Sequence, residues 1–412
     1  MPCFMAMLRS PRPSILLWLA TVVLITLNLR PFLTAIGPLS PAIQAQTGMG
    51  LEALAWLTLL PMALIGAGTW LTPAVQHRLG ARPAMTLALA FIAAGCALRL
   101  AGSQSAVLIV TAALCGVGVA LAQGMLPGLI KFQTPGHVAP MMGVYSAALM
   151  SGGALGAQFS PLAMQWGLSW QVSLALWTWP VLLALWLAWH TLGTMPLPVA
   201  AGWQSGSDTT WLLQRRRTWL LMLAFGLMNG GYATMVAWLA PYYQARGWSA
   251  AHSGLLVAVV SVAMASAALA FPALVARHPD RRPWIWLTLV CQAAGFAALA
   301  WRPDAAPMAA AVVLGVGLGG CFALFMLVAL DHLHHPLRAG ALNALMQGGG
   351  FMLTALAPWV MARLHRATGG FHAGWLVQLG AVLVVALLVA RFNPGHYDKA
   401  MRPPAGQVMP VP

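Results

Sequence analysis

The feature that most constrains this chain is a series of twelve long apolar runs separated by short polar segments. A helix needs about 20 mainly apolar residues to cross the hydrocarbon core of a bilayer. Only 7% of the residues are charged, whereas soluble domains carry about 25%, so charge is too scarce to cover a water-facing surface. The sequence therefore predicts an all-α membrane protein with twelve transmembrane helices, near 14–38, 53–76, 83–101, 105–130, 138–162, 169–192, 218–244, 250–276, 283–301, 305–330, 339–363 and 371–391.

The second six runs repeat the first six. PAVQHRLGARP starts at Pro73 and PALVARHPDRRP starts at Pro272, 199 positions later, each between the second and third span of its half. Matches in the fourth and fifth spans keep nearly the same offset. This duplication predicts two pseudo-symmetric six-helix halves, 1–192 and 218–391, joined by a cytoplasmic loop at 193–217 and followed by a cytoplasmic tail at 392–412. Halves related in this way enclose a midplane cavity and give alternating access by rocking.

Orientation follows from the basic residues of the short loops. With the N-terminus inside, the inner segments hold fifteen of the 21 Lys and Arg residues. The outer segments hold five, namely Arg99, Arg246, Arg302, Arg363 and Arg366. Both termini are therefore predicted to be cytoplasmic. Because the first run follows Arg9 and Arg12 without an A-x-A cleavage pattern, we interpret it as a retained helix.

Arg30 lies inside the first span, where a charged side chain costs about 2.5–3.5 kcal/mol on insertion scales. Helical spacing places Thr26, Arg30 and Thr34 on one stripe, which suits a helix that lines a wet cavity. Pro31 removes a backbone donor and predicts a kink that exposes a carbonyl. The alternative is that the long side chain reaches the outer headgroups.

None of the six acidic residues falls near the middle of a span. A single intramembrane cation without a counter-charge predicts a substrate that is anionic, or neutral and rich in hydrogen-bond acceptors. Polar and aromatic residues within the spans are further candidates for substrate contact, alongside Arg30 and Thr34: Asn28, Gln123, Tyr145, Asn229, Tyr232, Trp238, Asn343 and Gln347. The alternative for each is an interhelical hydrogen bond, worth about 0.6 kcal/mol.

Other motifs do not indicate catalysis, a cofactor or a metal. Gly315, Gly317 and Gly320 satisfy G-x-G-x-x-G, but they lie within a span and not between a strand and a helix. The histidine-rich run from Asp331 to His335 is interpreted as a solvated basic loop. The five cysteines show no paired spacing, which indicates packing residues. The basic residues are dispersed, so no nucleic-acid partner is expected.

The sequence resembles the major facilitator superfamily. The segment from His77 to Arg82, HRLGAR, is similar to that superfamily's D-R-x-G-R-[RK] loop, with His77 in place of the usual Asp. The second-half copy is ARHPDRR, which starts at Ala276. The resemblance implies that this loop stabilises one access state through charge pairs, and its residues here are Arg78, Gly80, Arg82, Asp280 and Arg281.

Within the superfamily, the chain resembles the branch of cyanate transporters and nitroimidazole exporters. NLRPFLTAIGPL at 28–39 and GLMNGGYATMVAWLAPYY at 226–243 carry this resemblance, with further stretches in both halves. It implies a secondary transporter of a small anion, cyanate, in the bacterial inner membrane, expected to be monomeric and surrounded by lipid. The alternative is export of small neutral heterocycles such as nitroimidazoles. A membrane enzyme or a sensor without flux is a third hypothesis, against which the two-half repeat argues.

Overall fold

The computed structural model describes residues 15–49, 51–102, 104–193 and 205–402. It contains the expected twelve membrane helices, three of which are interrupted: α1 (Ile15–Leu27, Pro31–Thr34 and Ile36–Thr47), α2 (Leu51–Leu79), α3 (Ala81–Ala97), α4 (Ser105–Gln133), α5 (Val138–Gln165), α6 (Trp170–Ala175 and Thr178–Gly193), α7 (Arg216–Gln244), α8 (Ala250–Leu274), α9 (Arg282–Trp301), α10 (Pro307–Asp331), α11 (Pro336–Thr354 and Leu356–Thr368) and α12 (His372–Val389). Eleven of these helices are long and apolar enough to span a bilayer, and the 29-residue α2 is the twelfth.

Helix α1 breaks where the sequence places Pro31. The first segment ends at Leu27, and the next begins with Pro31 as its first residue. Proline lacks the N–H group that would bond the carbonyl of Leu27 four residues earlier. That carbonyl lies against α5, because a Cβ atom added to Gly152 would be only 2.1 Å from the Leu27 oxygen. The predicted kink is therefore a complete interruption, and glycine allows α5 to pack on it.

The backbones of the two halves meet toward the end that carries the loops with Arg78, Lys131 and Arg281, which we call the basic end. Helices α4 and α11 touch through glycine, since a Cβ on Gly128 would lie 3.1 Å from the Cα of Gly340. Helices α5 and α8 touch in the same way, with a Cβ on Gly143 placed 3.0 Å from the carbonyl oxygen of Leu269. Small residues at these crossings let the backbones of the two halves meet.

The predicted inter-half loop contains a helix. Ser205–Leu213 forms this helix, while 194–204 lie outside the described residues. Trp211 and Leu212 are buried in the core. Thr218 donates a hydrogen bond to the carbonyl of Leu212 at 2.6 Å, which connects the helix to the start of α7. The last part of the segment is therefore folded against the bundle.

Candidate functional site

Arg30 lies at the break in α1 and points into the interior between the two halves. Its side chain is 9% exposed and lines a small cavity together with Leu33, Met62, Ile65, Gln123 and Phe351. The guanidinium carbon lies 5.7 Å from the ring centre of Tyr232 and 5.8 Å from that of Phe351. A cation over aromatic faces at this range is weakly attracted to them. The structure thus places Arg30 at the meeting point of α1, α7 and α11, and not among lipid headgroups.

The guanidinium of Arg30 has no protein counter-charge in the part of the chain that the structure describes. No hydrogen bond or ion pair connects it to another described side chain. All four described carboxylates pair elsewhere: Asp280 with Arg282, Asp304 with Arg246, Asp331 with Arg281 and Asp398 with His334. A buried charge without a partner is unfavourable, so this site is chemically suited to an anion.

A chain of buried amides begins at the wall of this cavity and crosses between the halves. Gln123 on α4 donates to Gln347 on α11 at 2.6 Å. Gln347 donates to Asn343 at 2.7 Å, and Asn343 donates to the carbonyl of Met326 at 3.0 Å. None of the three amide side chains is more than 1% exposed. We call this the amide chain, and it aligns the two halves beside Arg30.

Tyr145 on α5 is a predicted contact residue whose polar group is buried. The residue is fully buried, and its hydroxyl has no hydrogen-bond partner among the residues that the structure describes. Tyr145 does not belong to the residues that line the cavity of Arg30. A buried hydroxyl without a partner is costly, so this donor remains available for a polar ligand.

Four predicted contact residues outside the amide chain are also engaged with protein partners. Asn28 donates to the carbonyls of Leu24 at 2.7 Å and Pro180 at 3.3 Å, and Thr34 donates to the carbonyl of Arg30 at 3.3 Å. Asn229 donates to the Thr354 hydroxyl at 3.2 Å, and Trp238 donates to the Pro358 carbonyl at 3.1 Å. The interruption at Pro31 also divides the proposed Thr26–Arg30–Thr34 stripe, because helical spacing applies only to a continuous helix.

The loop residues implied by the resemblance make contacts within their own halves. Gly80 opens α3 with a φ of 84°, which favours glycine. The guanidinium carbon of Arg82 stacks 3.8 Å from the ring centre of Trp189, and Arg78 is exposed. Arg281 donates to Asp331 at 3.1 Å.

Asp280, the acidic residue of this loop, pairs with its neighbour Arg282 at 2.7 Å. The Arg282 guanidinium that donates to this carboxyl holds the pKa of Asp280 below its usual value. Asp280 is therefore a stable carboxylate at neutral pH. Neither Asp280 nor Arg281 forms an ion pair with a described residue of the opposite half, so the charge pairs seen for these two residues lie within the second half.

Sequence reasoning missed Lys131, which makes the clearest inter-half contact at the basic end. Its ammonium group on α4 donates to the carbonyls of Leu330 and Leu333 at the end of α10. A lysine at a helix C-terminus satisfies the last carbonyls and favours the helix dipole. The repeat offset of 199 relates Lys131 to Leu330 itself. This relation could have predicted the contact, because equivalent positions of two symmetric halves can meet at the symmetry axis.

The interpretation of Arg30 as a single intramembrane cation is wrong, because Arg99 is buried as well. The sequence placed Arg99 in an outer segment, but it is 1% exposed. It donates to the carbonyl of Phe32 at 2.9 Å. The reason is that Leu98–Ala101 continues α3 as a short 3-10 turn, which brings the side chain under the broken α1.

The interpretation of the histidine-rich run as a solvated loop is wrong for His332, which is buried. Its ring is 2% exposed and stacks on Tyr397 with 3.8 Å between ring centres. Burial lowers the pKa of His332 to about 3. His334 and His335 are exposed, as expected. Within the described ranges, no group of His, Cys, Asp or Glu side chains has the arrangement of a metal site.

These features define a class of protein, namely a polytopic membrane transporter with a charged site between two six-helix halves. The sequence pattern described as the Major Facilitator Superfamily matches residues 22–352, and the chain belongs to that family. It is a membrane transporter and not an enzyme.

Known proteins are similar to this chain over nearly its full length. The cyanate transport protein CynX of Escherichia coli (strain K12) is 39% identical over 385 residues, which is 92% of this chain and 98% of CynX. The 2-nitroimidazole transporter of the same organism is 29% identical over 379 residues, 91% of this chain and 94% of that protein.

Two solved structures share the fold. The proton:xylose symporter XylE superposes with a TM-score of 0.72 at 15% identity, covering 91% of this chain and 94% of XylE. The human organic anion transporter MFSD10 gives a TM-score of 0.70 at 16% identity, covering 92% and 100%.

Proposed function

We propose that this transporter carries a small anion, and that the anion is cyanate. The observation that carries the proposal is the guanidinium of Arg30, which is buried between the two halves without a counter-charge among the described side chains. The relative that is 39% identical is a cyanate transport protein, which supports the choice of anion. Arg30 supplies charge attraction, while Gln123 supplies a hydrogen-bond donor at the same cavity.

The contacts between the halves suggest how access alternates. Lys131 and the glycine crossings hold the basic end closed, while the amide chain holds the middle. Rocking of the halves toward the other state must release Lys131 from α10 and separate Gly128 from Gly340. Arg30 stays at the centre of this movement and faces first one side and then the other.

The cellular setting belongs to the same proposal. We place the protein in a bacterial inner membrane as a monomer, with both termini and the basic end in the cytoplasm. Moving one anion into a negative-inside cell costs about 2.3 kcal/mol per 100 mV. Reporter fusions at each terminus test the orientation, and a periplasmic signal from either terminus would contradict it.

The test uses purified protein in sealed vesicles and measures uptake of labelled cyanate. We expect Arg30→Gln to abolish protein-dependent flux and Arg30→Lys to retain part of it, because lysine keeps the charge but lacks the planar fork. Size-exclusion profiles and thermal unfolding of both variants control for folding. Normal flux through Arg30→Gln protein would refute the anion site.

Export of nitroimidazoles is the second candidate, supported by the relative named for 2-nitroimidazole and by the two aromatic rings beside Arg30. In that case, Tyr232 and Phe351 would stack on the heterocycle, and Arg30 would donate to a nitro oxygen. Competition separates the candidates: cyanate flux that is blocked by excess unlabelled cyanate and unaffected by 2-nitroimidazole favours the anion.

A further inference from the structure

We infer that the anion carrier proposed above, on which this inference rests, works by obligatory exchange. The halves change access with an anion on Arg30 and not with the site empty. One anion must therefore leave on one side for another to enter from the other side.

The first reason is the charge of the empty site. Arg30 is 9% exposed, and its guanidinium forms no ion pair with any side chain that the structure describes. Two acids have undescribed side chains, but Glu52 is the second residue of α2 and Asp208 lies in the helix Ser205–Leu213 before α7. The backbone places both outside the midmembrane region, so the empty site is cationic.

The second reason is the closure that alternating access requires. Arg30 sits between helices of both halves, with Tyr232 from α7 and Phe351 from α11 over it. Between the two access states the cavity is shut from both solutions, and an empty site then leaves the guanidinium without bulk water and without a counter-ion. A bound anion neutralises it at that moment. The change between the two access states is therefore faster with an anion bound to Arg30 than with the site empty.

The third reason is electrical. Exchange of one monovalent anion for another moves no net charge, so the membrane potential does not oppose entry of the substrate. Buried carboxylates are the usual proton relays of transporters, and each of the four described carboxylates pairs with a residue other than Arg30. An outgoing anion can provide the driving force that a proton would otherwise supply.

The experiment compares the uptake of labelled cyanate into two sets of vesicles that contain the full-length protein. One set is loaded with unlabelled cyanate and the other with gluconate, and potassium with valinomycin clamps the potential. We expect uptake to be about 10- to 100-fold faster into the cyanate-loaded vesicles, since an uncompensated buried charge slows the empty return. The ratio of the two rates is the exchange ratio. Protein-free vesicles correct for leakage of the neutral acid.

A counter-charge placed at the cavity should lower the exchange ratio. Gln123 lines the cavity with Arg30, so Gln123→Glu supplies a carboxylate that neutralises the empty site. We expect this variant to bind cyanate less tightly and to show an exchange ratio near one. Gln123→Met is the matched control: it also loses the bond to Gln347, but it adds no charge and should keep a high ratio.

The outcomes separate the two proposals. Equal protein-dependent rates into both sets of wild-type vesicles would overturn obligatory exchange and leave cyanate transport intact. No protein-dependent flux with either filling would overturn the proposed function, and exchange with it. A high exchange ratio that persists in Gln123→Glu would show that the empty charge is not the cause, and the inference would fail on that result as well.

Discussion

Replacing Lys131 tests whether one side chain holds the basic end closed. Its ammonium bonds the carbonyls of Leu330 and Leu333 across the halves. A hydrogen bond to a charged group contributes about 1.5–3 kcal/mol. Because Lys131 is only half-buried, we assign that range to the two bonds together. Lys131→Met keeps most of the side-chain volume and removes both bonds, so it should shift the population toward the open basic end by about 10- to 150-fold.

The assay is labelling of a single cysteine by a thiol reagent from the basic end. Ala268 on α8 is fully buried and lies beside Gly143 of the opposite half, so Ala268→Cys in a background without other cysteines reports separation of α5 from α8. We expect Lys131→Met to raise the labelling rate by the factor given above.

Two control substitutions make the result specific. Lys131→Arg keeps the charge and the donors and should change the labelling rate little. Lys399→Met removes an exposed charge at the same end without crossing the halves, and it should have no effect. If Lys131→Met labels at the unmodified rate, the lysine does not hold the closed state, and the glycine crossings alone keep it shut.

Two further predictions concern stability in detergent. Gly152→Ala places a methyl group 2.1 Å from the Leu27 oxygen and should destabilise the protein by about 1–3 kcal/mol, seen as a lower Tm; Gly380→Ala, which meets nothing within 4 Å, is the control and should match wild type. Because the folded-state pKa of His332 is lowered to about 3, protonation favours unfolding, so stability should fall by up to about 1.4 kcal/mol per pH unit as pH drops below 6.5. His332→Phe should flatten this dependence and His334→Gln should not, and an unchanged slope in the first variant would contradict the assignment.

The helices were predictable because membrane spans are governed by length and hydropathy. The twelve predicted runs and the observed helices agree in number and order. The interruption of α11 shows where that reasoning stops. Pro161 and Pro358 occupy matching places in the repeat, yet α5 continues through Pro161 while α11 is interrupted at Ala355. A proline removes one hydrogen bond in both cases, and the packing around it decides whether the helix bends or breaks.

The candidate site was predictable in its residue types and less so in its geometry. A buried arginine and the amides of α4 and α11 were identified, because polar groups in lipid need partners. The hydrogen bond between Gln123 and Gln347 across the halves, at 2.6 Å, was not predicted, since it depends on how the two bundles pack together. The same holds for Lys131, whose partners are backbone carbonyls, so the only signal in the sequence is the repeat offset that relates Lys131 to Leu330.

The side-chain direction of Arg30 could not be predicted from the helical spacing of Thr26, Arg30 and Thr34, that is, from a helical wheel. The wheel assumes that one helix continues through Pro31, whereas the chain turns at Asn28–Arg30 and starts a new helix. Two contacts fix the new segment: the freed Leu27 carbonyl packs on Gly152, where a Cβ atom would not fit, and Arg99 donates a hydrogen bond to the carbonyl of Phe32. The orientation of Arg30 therefore depends on three residues from three helices: Pro31, which lacks an N–H group, Gly152, which lacks a Cβ atom, and Arg99, which supplies a second buried guanidinium. Residues that build the site without touching its cavity are consequently as informative to mutate as Arg30 itself.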